Sequence, residues 1–101
     1  MQIVYPTTAS NTPTIASSTT ALADSAGRRI AWNIQNLGQN VLYVLLGAGA
    51  SSTVFHVALK AATSNDDGTG GTVGQENGVI YTGIISVAGT SPRYTVLEQA
   101  P

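Results

Sequence analysis

Few residues in this 101-residue chain could carry out acid–base or nucleophilic chemistry. It has a single histidine, His56, no cysteine and five acidic residues. Serines are plentiful, but one histidine among many serines is not evidence for a catalytic triad, which is defined by geometry. His56 lies in a run of apolar residues, where a lone imidazole is more often structural than catalytic. The sequence therefore predicts no catalytic residue, no enzyme activity and no cofactor.

An acidic, glycine-rich segment from Asn65 to Glu76 can be compared with a cation-binding loop. Residues of this segment fall at positions 1, 3, 5, 6 and 12 of a calcium-loop template: Asn65, Asp67, Thr69, Gly70 and Glu76. The first ligand would be Asn rather than Asp, and no helices flank the loop. The run Gly68–Gly71 also lacks the Lys-Ser/Thr ending and the helix of a phosphate-binding loop. We therefore interpret the segment as an exposed loop and predict no metal ligand.

Three of the four basic residues, Arg28, Arg29 and Arg93, lie where predicted strands begin. One interpretation is that they are strand-edge charges, which discourage edge-to-edge aggregation. The alternative is ion pairing between subunits, with Asp24, with Glu98 or with another carboxylate of a partner. The sequence leaves these two interpretations open.

The composition excludes several classes of partner. Charged residues make up only 9% of the chain, against about 25% in ordinary globular proteins, and the net charge is −1. No basic field is present to attract phosphate, so nucleic acid is not an expected partner. No amphipathic or long apolar segment predicts a membrane contact. A surface so poor in charge is typical of a protein covered by neighbours or displayed outside the cell.

The stretch Arg28–Lys60 is predicted to form three consecutive strands, a meander around which the rest of the chain is organised. In residues 30–35 apolar and polar residues alternate, which predicts that Trp32 is buried. Residues 41–46 are apolar on both faces, which is typical of a central strand covered on two sides. The third strand is predicted at residues 53–59.

Further strands are predicted outside this meander, at residues 79–87 and 93–98, and residues 19–23 are another candidate. A long polar loop at 65–78 precedes them, and Gly83 marks a bulge or a close backbone approach. No stretch outside the strands keeps an apolar period of 3.6 over three turns, so no helix is predicted. The sequence predicts an all-β fold, a small single-domain β-sandwich or β-barrel.

The first 27 residues differ in character from the rest of the chain. Residues 1–5 alternate in a way that could add to a sheet edge, and residues 6–20 contain mostly Thr, Ser, Ala, Asn and Pro. Such a segment buries too little apolar surface to order itself alone. It is either a loose tail or an extended arm ordered against a partner chain, with a maximum reach of about 90 Å. We divide the chain into an arm at 1–27 and a β-domain at 28–101.

Six segments carry a resemblance to a known family: Arg29–Gly38, Leu42–Gly47, Phe55–Lys60, Asp66–Gly71, Tyr81–Thr90 and Pro92–Tyr94. Among them, the motif IQN-x-G followed by LYV-x-LG resembles a sequence pattern that recurs in small virion structural proteins of tailed bacteriophages. The similarity covers about residues 28–98 and leaves out the arm. The shared motif is structural rather than catalytic, so the similarity implies no active-site residue in this chain.

The resemblance implies a β-sandwich or barrel that binds the outer surface of the capsid and stabilises it as a cement or decoration protein. The implied partners are the major capsid protein, or another virion structural protein, and further copies of the chain itself, most simply as a homotrimer. The implied location is the capsid surface of the virion. The arm would lie across capsid subunits by adding a strand to exposed sheet edges.

Two other functions fit the sequence. The chain could be another virion part, such as a neck, tail or head-fibre component, which copy number per particle would distinguish from a cement protein. It could instead be a glycan-binding module that uses exposed aromatic residues: Trp32, Tyr43, Tyr81 or Tyr94. The expected burial of Trp32 argues against this last function.

Overall fold

Short β-strands and their connections make up the described part of the chain. The structure is a computed structural model and describes residues 8–10 and 17–101. The strands are β1 (Thr8–Ser10), β2 (Thr20–Leu22), β3 (Ala31–Asn36), β4 (Leu42–Leu46), β5 (Val57–Leu59), β6 (Thr72–Gln75), β7 (Ile85–Ala88) and β8 (Tyr94–Ala100). They form two antiparallel sheets, sheet A with the order β1-β8-β3-β6 and sheet B with the order β2-β7-β4-β5. The described residues contain no helix, and the predicted all-β, sandwich-like fold is confirmed.

The hydrophobic core lies between the sheets and takes one face of each. Sheet A contributes Trp32 and Ile34 from β3 and Tyr94 from β8. Sheet B contributes apolar side chains from all four of its strands: Leu22, Leu42, Val44, Leu59, Ile85 and Val87. Each large apolar side chain buried in this way stabilises the fold by about 1.5–3 kcal/mol. The predicted burial of Trp32 is confirmed, since only 3% of it remains exposed.

The strand pairing contradicts the predicted meander. β3 pairs with β6 and β8 in sheet A, whereas β4 pairs with β5 and β7 in sheet B. The connection at residues 37–41 therefore carries the chain from one sheet to the other instead of closing a hairpin. The prediction was wrong because alternation determines which face of a strand is buried, while tertiary packing chooses its pairing partner.

A buried asparagine, Asn36, holds this sheet-to-sheet connection in place. Its Nδ2 donates to the carbonyl oxygens of Leu59 at 3.2 Å and Lys60 at 3.1 Å. The same nitrogen donates to the carbonyl of Asn40 at 2.8 Å, while Oδ1 accepts from the amide of Gly38 at 3.0 Å. The side chain is 1% exposed, so water does not compete for these bonds. Asn36 therefore joins the end of β3 in sheet A to the end of β5 in sheet B.

The strand predicted at residues 53–59 is shorter than expected, because a turn occupies its first half. The amide of Ser51 donates to the carbonyl of Val54 at 2.9 Å. Ser51 Oγ also accepts from the amides of Thr53 at 3.2 Å and Val54 at 3.0 Å. Side-chain to backbone bonds of this kind compete with a sheet ladder. The ladder with β4 therefore begins only at Val57.

The strand predicted at residues 79–87 is also shortened, since β7 begins at Ile85. The carbonyls of Tyr81 and Gly83 accept hydrogen bonds from the Arg29 guanidinium at 2.9 and 3.0 Å, which draws this segment away from a ladder. A Cβ atom at Gly83 would meet the Tyr81 hydroxyl at 2.7 Å, so the glycine permits a close approach.

A strand that the sequence did not reveal, β6, lies inside the predicted polar loop at 65–78. Its four residues include a single large apolar side chain, Val73, so their composition gives almost no strand signal. Pairing with β3 forms the strand, and at Gly74 a Cβ atom would overlap the carbonyl oxygen of Trp32. Gln75 Oε1 accepts from Trp32 Nε1 and from the Tyr81 amide, both at 2.8 Å.

Part of the N-terminal prediction falls outside the described residues, including the alternating pattern at 1–5. The strand predicted at 19–23 is confirmed as β2, which pairs with β7. The Tyr94 hydroxyl donates to the carbonyl of Ser18 at 2.6 Å, which ties this segment to β8. Further upstream, the backbone of Thr8–Ser10 pairs with the outer edge of β8. The division of the chain at residue 27 stays a prediction.

Replacing Asn36 by alanine should destabilise the protein by about 2–4 kcal/mol, because several backbone groups would lose their partner at once. Urea unfolding would measure this change. The matched control is Asn33→Ala on the same strand, since Asn33 is exposed and accepts one bond from the Thr72 hydroxyl. We expect the control to change stability by no more than about 0.5 kcal/mol. Equal effects of the two substitutions would contradict the role given to Asn36.

Candidate interaction surface

The charged residues of this chain are distributed unequally between the two sheets. They fall into three segments of the sequence: Asp24–Arg29, Lys60–Glu76 and Arg93–Glu98. Residues 30–59 and 77–92 contain no Asp, Glu, Lys or Arg. All four strands of sheet B are therefore free of charge, and so is the connection between β4 and β5. Whatever contacts sheet B from outside meets a neutral surface.

The outer face of sheet B is apolar as well as neutral. We define this face by five residues, Val41, Tyr43, Leu45, Phe55 and Ala88. On β7, Ala88 pairs with Tyr43 and Ser86 pairs with Leu45, so these side chains share the outer face. Leu42 and Val44 point into the core instead. The apolar side chains on the outer side of β4 are thus only partly covered by the rest of this chain. The prediction of a central strand is confirmed, but its outer side is only half-buried.

Large apolar side chains remain exposed along this face. Val41 and Phe55 are each 40% exposed, and Val54, next to Phe55 on the β4–β5 connection, is 51% exposed. The rings of Phe55 and Tyr43 lie with their centroids 4.9 Å apart at an interplanar angle of 51°, a favourable tilted pair. This aromatic pair fixes the end of the connection against the sheet.

A buried serine holds the other end of that connection. Ser86 Oγ donates to the carbonyl of Gly47 at 2.7 Å and accepts from the amide of Ala50 at 3.0 Å. Between the connection and the strands lies a groove of about 530 Å³. It is lined only by uncharged residues: Asn40, Val41, Tyr43, Ala50, Ser51, Ser52, Ala88, Gly89 and Thr90. The outer face of sheet B is therefore a defined surface rather than a loose loop.

His56 lies directly before β5 and makes structural contacts. Its Nδ1 accepts a hydrogen bond from the amide of Leu46 at 3.1 Å, and its own amide donates to the carbonyl of Val44 at 2.8 Å. The side chain is exposed. These contacts fit the interpretation of His56 as a structural residue.

The candidate cation loop is organised by its own hydrogen bonds. Asp67 accepts from the amide of Ser64 at 2.9 Å, from the amide of Thr69 at 2.9 Å and from the Thr69 hydroxyl at 2.6 Å. The Thr69 hydroxyl, more than any other donor, lowers the pKa of Asp67 to about 2. Asp66 pairs with Arg93, whose hydrogen bond lowers the pKa of that carboxyl. Within residues 17–101, no cluster of three or more His, Cys, Asp or Glu side chains could hold a metal ion.

Arg29 is the residue whose role the sequence least revealed. Its side chain is completely buried, and Nε donates to Glu98 Oε2 at 2.9 Å. Besides the two carbonyls at Tyr81 and Gly83, it binds the carbonyl of Ala23 at 2.8 Å through its second amino group. The strand-edge interpretation is therefore wrong for Arg29. Its ion pair with Glu98 lies within one chain, whereas the alternative interpretation had placed such a pair between subunits. Arg28, its neighbour, is exposed.

The four aromatic residues considered for glycan stacking lie in different environments. Trp32 and Tyr94 are buried in the core, so they offer no platform. Tyr81 is half-buried and packs against the core. Tyr43 alone of the four lines the groove on the outer face of sheet B. A glycan site would therefore depend on Tyr43.

Comparison with known proteins assigns the chain to no family. No family model, no curated protein and no solved structure matches this sequence or its fold. In the described ranges, no helix is long and apolar enough to cross a membrane.

Replacing Arg29 by methionine should cost about 3–5 kcal/mol of stability, because Glu98 and three carbonyl groups would lose their shared partner. The matched control is Arg28→Met, an exposed position one residue away, where we expect a change within about 0.5 kcal/mol. Chemical denaturation measures both variants. If Arg29→Met does not fold, Arg29→Lys, which keeps the charge but not the planar fork, should show a partial loss. Equal stability of all variants would contradict the assigned role.

Acid should loosen the turn at residues 64–69. The pKa of Asp67 in the folded protein is about 2, below its ordinary value of 3.8, so ionised Asp67 favours folding. This stabilisation is complete above the ordinary pKa and is lost as the pH falls through about 2. The difference in stability between wild type and Asp67→Asn should therefore be largest at neutral pH and narrow towards pH 2. An NMR titration that placed the Asp67 midpoint at 3.8 or higher would contradict the hydrogen-bonded turn.

Proposed function

We propose that this chain is a structural protein of a tailed-bacteriophage virion, which binds the outer surface of the capsid and stabilises it as a cement or decoration protein. The observation that carries the proposal is the outer face of sheet B, which is neutral, apolar and firmly held. Such a face is typical of a surface that another protein surface covers, since the cores of protein interfaces are depleted of charge. The resemblance of residues 28–98 to phage virion proteins supplies the kind of assembly.

The N-terminal segment supports attachment by strand addition. The backbone of Thr8–Ser10 already pairs with Glu98–Ala100 at the edge of sheet A, so this sequence is able to add a strand to a sheet. Backbone pairing of this type depends little on side-chain identity, which suits the Thr- and Ser-rich composition of the arm. Pairing with an exposed edge of a capsid subunit would use the same geometry. Several arms from one oligomer would then provide avidity beyond a single contact.

The cementing mechanism follows from these two contacts. A protein that buries surface across the boundary between capsid subunits raises the free energy needed to separate them. The surface of this protein has few charges, so attachment would depend on shape and apolar area and would change little with salt. A neck, tail or head-fibre position remains the alternative, and a glycan-binding role would require Tyr43.

Stoichiometry in purified particles tests the proposal most directly. Quantitative mass spectrometry against the major capsid protein should give about one copy per one to three capsid subunits, the ratio expected when a cement oligomer occupies the symmetry axes of the shell. A ratio far below this would move the protein to the neck, tail or a fibre. Absence from particles would contradict a virion role and favour a glycan-binding module.

Removing residues 1–16 should weaken attachment to capsids while leaving the β-domain folded. The truncation ends before Ser18, whose carbonyl accepts the Tyr94 hydroxyl, and before β2. A finer variant is Ala9→Pro, since proline cannot donate to a ladder. Ala9→Ser is its matched control and should bind as wild type does. Retention on particles, measured by sedimentation of capsids with bound protein, should fall for the truncation and for the proline variant. Unchanged retention would show that the arm does not mediate attachment.

A further inference from the structure

We infer that the free edge of β6 binds an extended, uncharged segment of a different protein, which adds a strand to sheet A and places an aliphatic side chain between β6 and β5. The inference goes beyond the proposed function, because it makes this chain the acceptor of a strand as well as the donor of an arm. β6 and β5 are the last strands of sheets A and B and lie next to each other on one side of the sandwich. Among the described residues, no further strand pairs with the outer edge of either.

The backbone of β6 presents hydrogen-bonding groups at this edge. The amide of Asn36 donates to the carbonyl of Gly71 at 2.9 Å, which fixes the phase of the ladder between β3 and β6. Hydrogen-bonded and non-hydrogen-bonded pairs alternate in an antiparallel ladder, so Thr72 and Gly74 direct their N–H and C=O groups away from β3. Both residues are exposed. A row of such groups matches the backbone of an extended polypeptide.

A slot beside this edge indicates which side chain the added strand would carry. It has a volume of about 180 Å³, no charged residue lines it, and its apolar lining comes from both sheets: Trp32, Val44, Leu46, Val57 and Val73. The last three of these are only half-buried. On a strand added beside β6, every second side chain would point to the same side as Val73 and so into the slot. Since a cavity of about 150 Å³ can hold a benzene-sized group, an aliphatic side chain as large as leucine fits.

Two features of the chain favour a short extended segment as the occupant. The opposite edge of sheet A already receives one, since Thr8–Ser10 pairs with Glu98–Ala100 of β8. The slot is also closed at one end, where the amide of Gly71 donates to the carbonyl of Lys60 at 3.0 Å and joins the start of β6 to the end of β5. The open edge of β6 is therefore about 13 Å long, which a segment of about four or five residues would span.

A capped pentapeptide, acetyl-Thr-Thr-Leu-Thr-Thr-amide, is the probe for this site. Titrated into the isotope-labelled full-length protein, it should shift the NMR resonances of residues 57–59 and 72–75 and leave those of β1 unchanged. Aspartate in place of the peptide's leucine should weaken binding about tenfold or more, because a carboxylate would have to leave water to enter the slot. Methylation of the peptide's backbone amides should abolish binding, since the added strand would lose its donors.

Thr72→Pro and Thr72→Val are the matched pair on the protein. Both variants lose the bond from the Thr72 hydroxyl to Asn33 Oδ1, but only proline removes the N–H at the open edge. The valine variant should bind the leucine peptide as the wild type does, and the proline variant about tenfold more weakly or not at all. If Thr72→Pro does not fold, the methylated peptide tests the same hydrogen bonds on the wild-type protein.

Three results would overturn the inference. The first is no binding of the leucine peptide at millimolar concentration. The second is equal binding of the leucine, aspartate and methylated peptides, which would show contact without a ladder or a slot. The third is binding that appears only after residues 1–16 are removed, because the arm of this chain would then be the occupant instead of a different protein.

Discussion

The buried guanidinium of Arg29 is the interaction on which most of the described fold depends. It links Glu98 of β8 in sheet A to the carbonyls of Ala23 after β2 and of Tyr81 and Gly83 before β7, both in sheet B. A cation without these partners could not remain in the interior, because its desolvation would cost several kcal/mol. The connections around it adopt the paths that bring their carbonyls to it, and this is why β7 begins as late as Ile85.

Asn36 does the same at the other end of the sandwich with a neutral group. Arg29 lies just before β3 and Asn36 at its end, and the side chain of each binds backbone carbonyls in or next to the strands of sheet B. The small core, with nine buried apolar residues in its main cluster, is therefore closed at both ends by hydrogen bonds rather than by further apolar packing. Charge is concentrated at one of these closures and at the Asp66–Arg93 pair, which leaves sheet B neutral.

This arrangement connects the fold to its proposed role. Because the core is closed by polar side chains and Ser86 fixes the β4–β5 connection, the apolar outer face of sheet B is presented by a rigid support. A rigid neutral face loses little conformational entropy on association, which favours stable assembly with other protein surfaces. The pairing of Thr8–Ser10 with β8 adds a second mode of contact through the backbone. A face and an arm together suit a component of a larger protein shell.

Composition and alternation alone determined the all-β class, the burial of Trp32, the central position of β4 and the strands at β2 and β8, since a period of two is a local property of the chain. The partners of β3 and β4, the strand β6 and the roles of Arg29 and Asn36 were decided only by the tertiary structure. β6 has almost no apolar signal and forms because β3 offers it an edge. From the sequence, Arg29 is interpreted as a surface charge. Only in the folded chain do the three carbonyl groups that it binds and Glu98, up to 69 residues away, surround it. Contacts between residues so distant in sequence leave no local pattern, because the groups that satisfy a buried polar side chain are brought together only by folding.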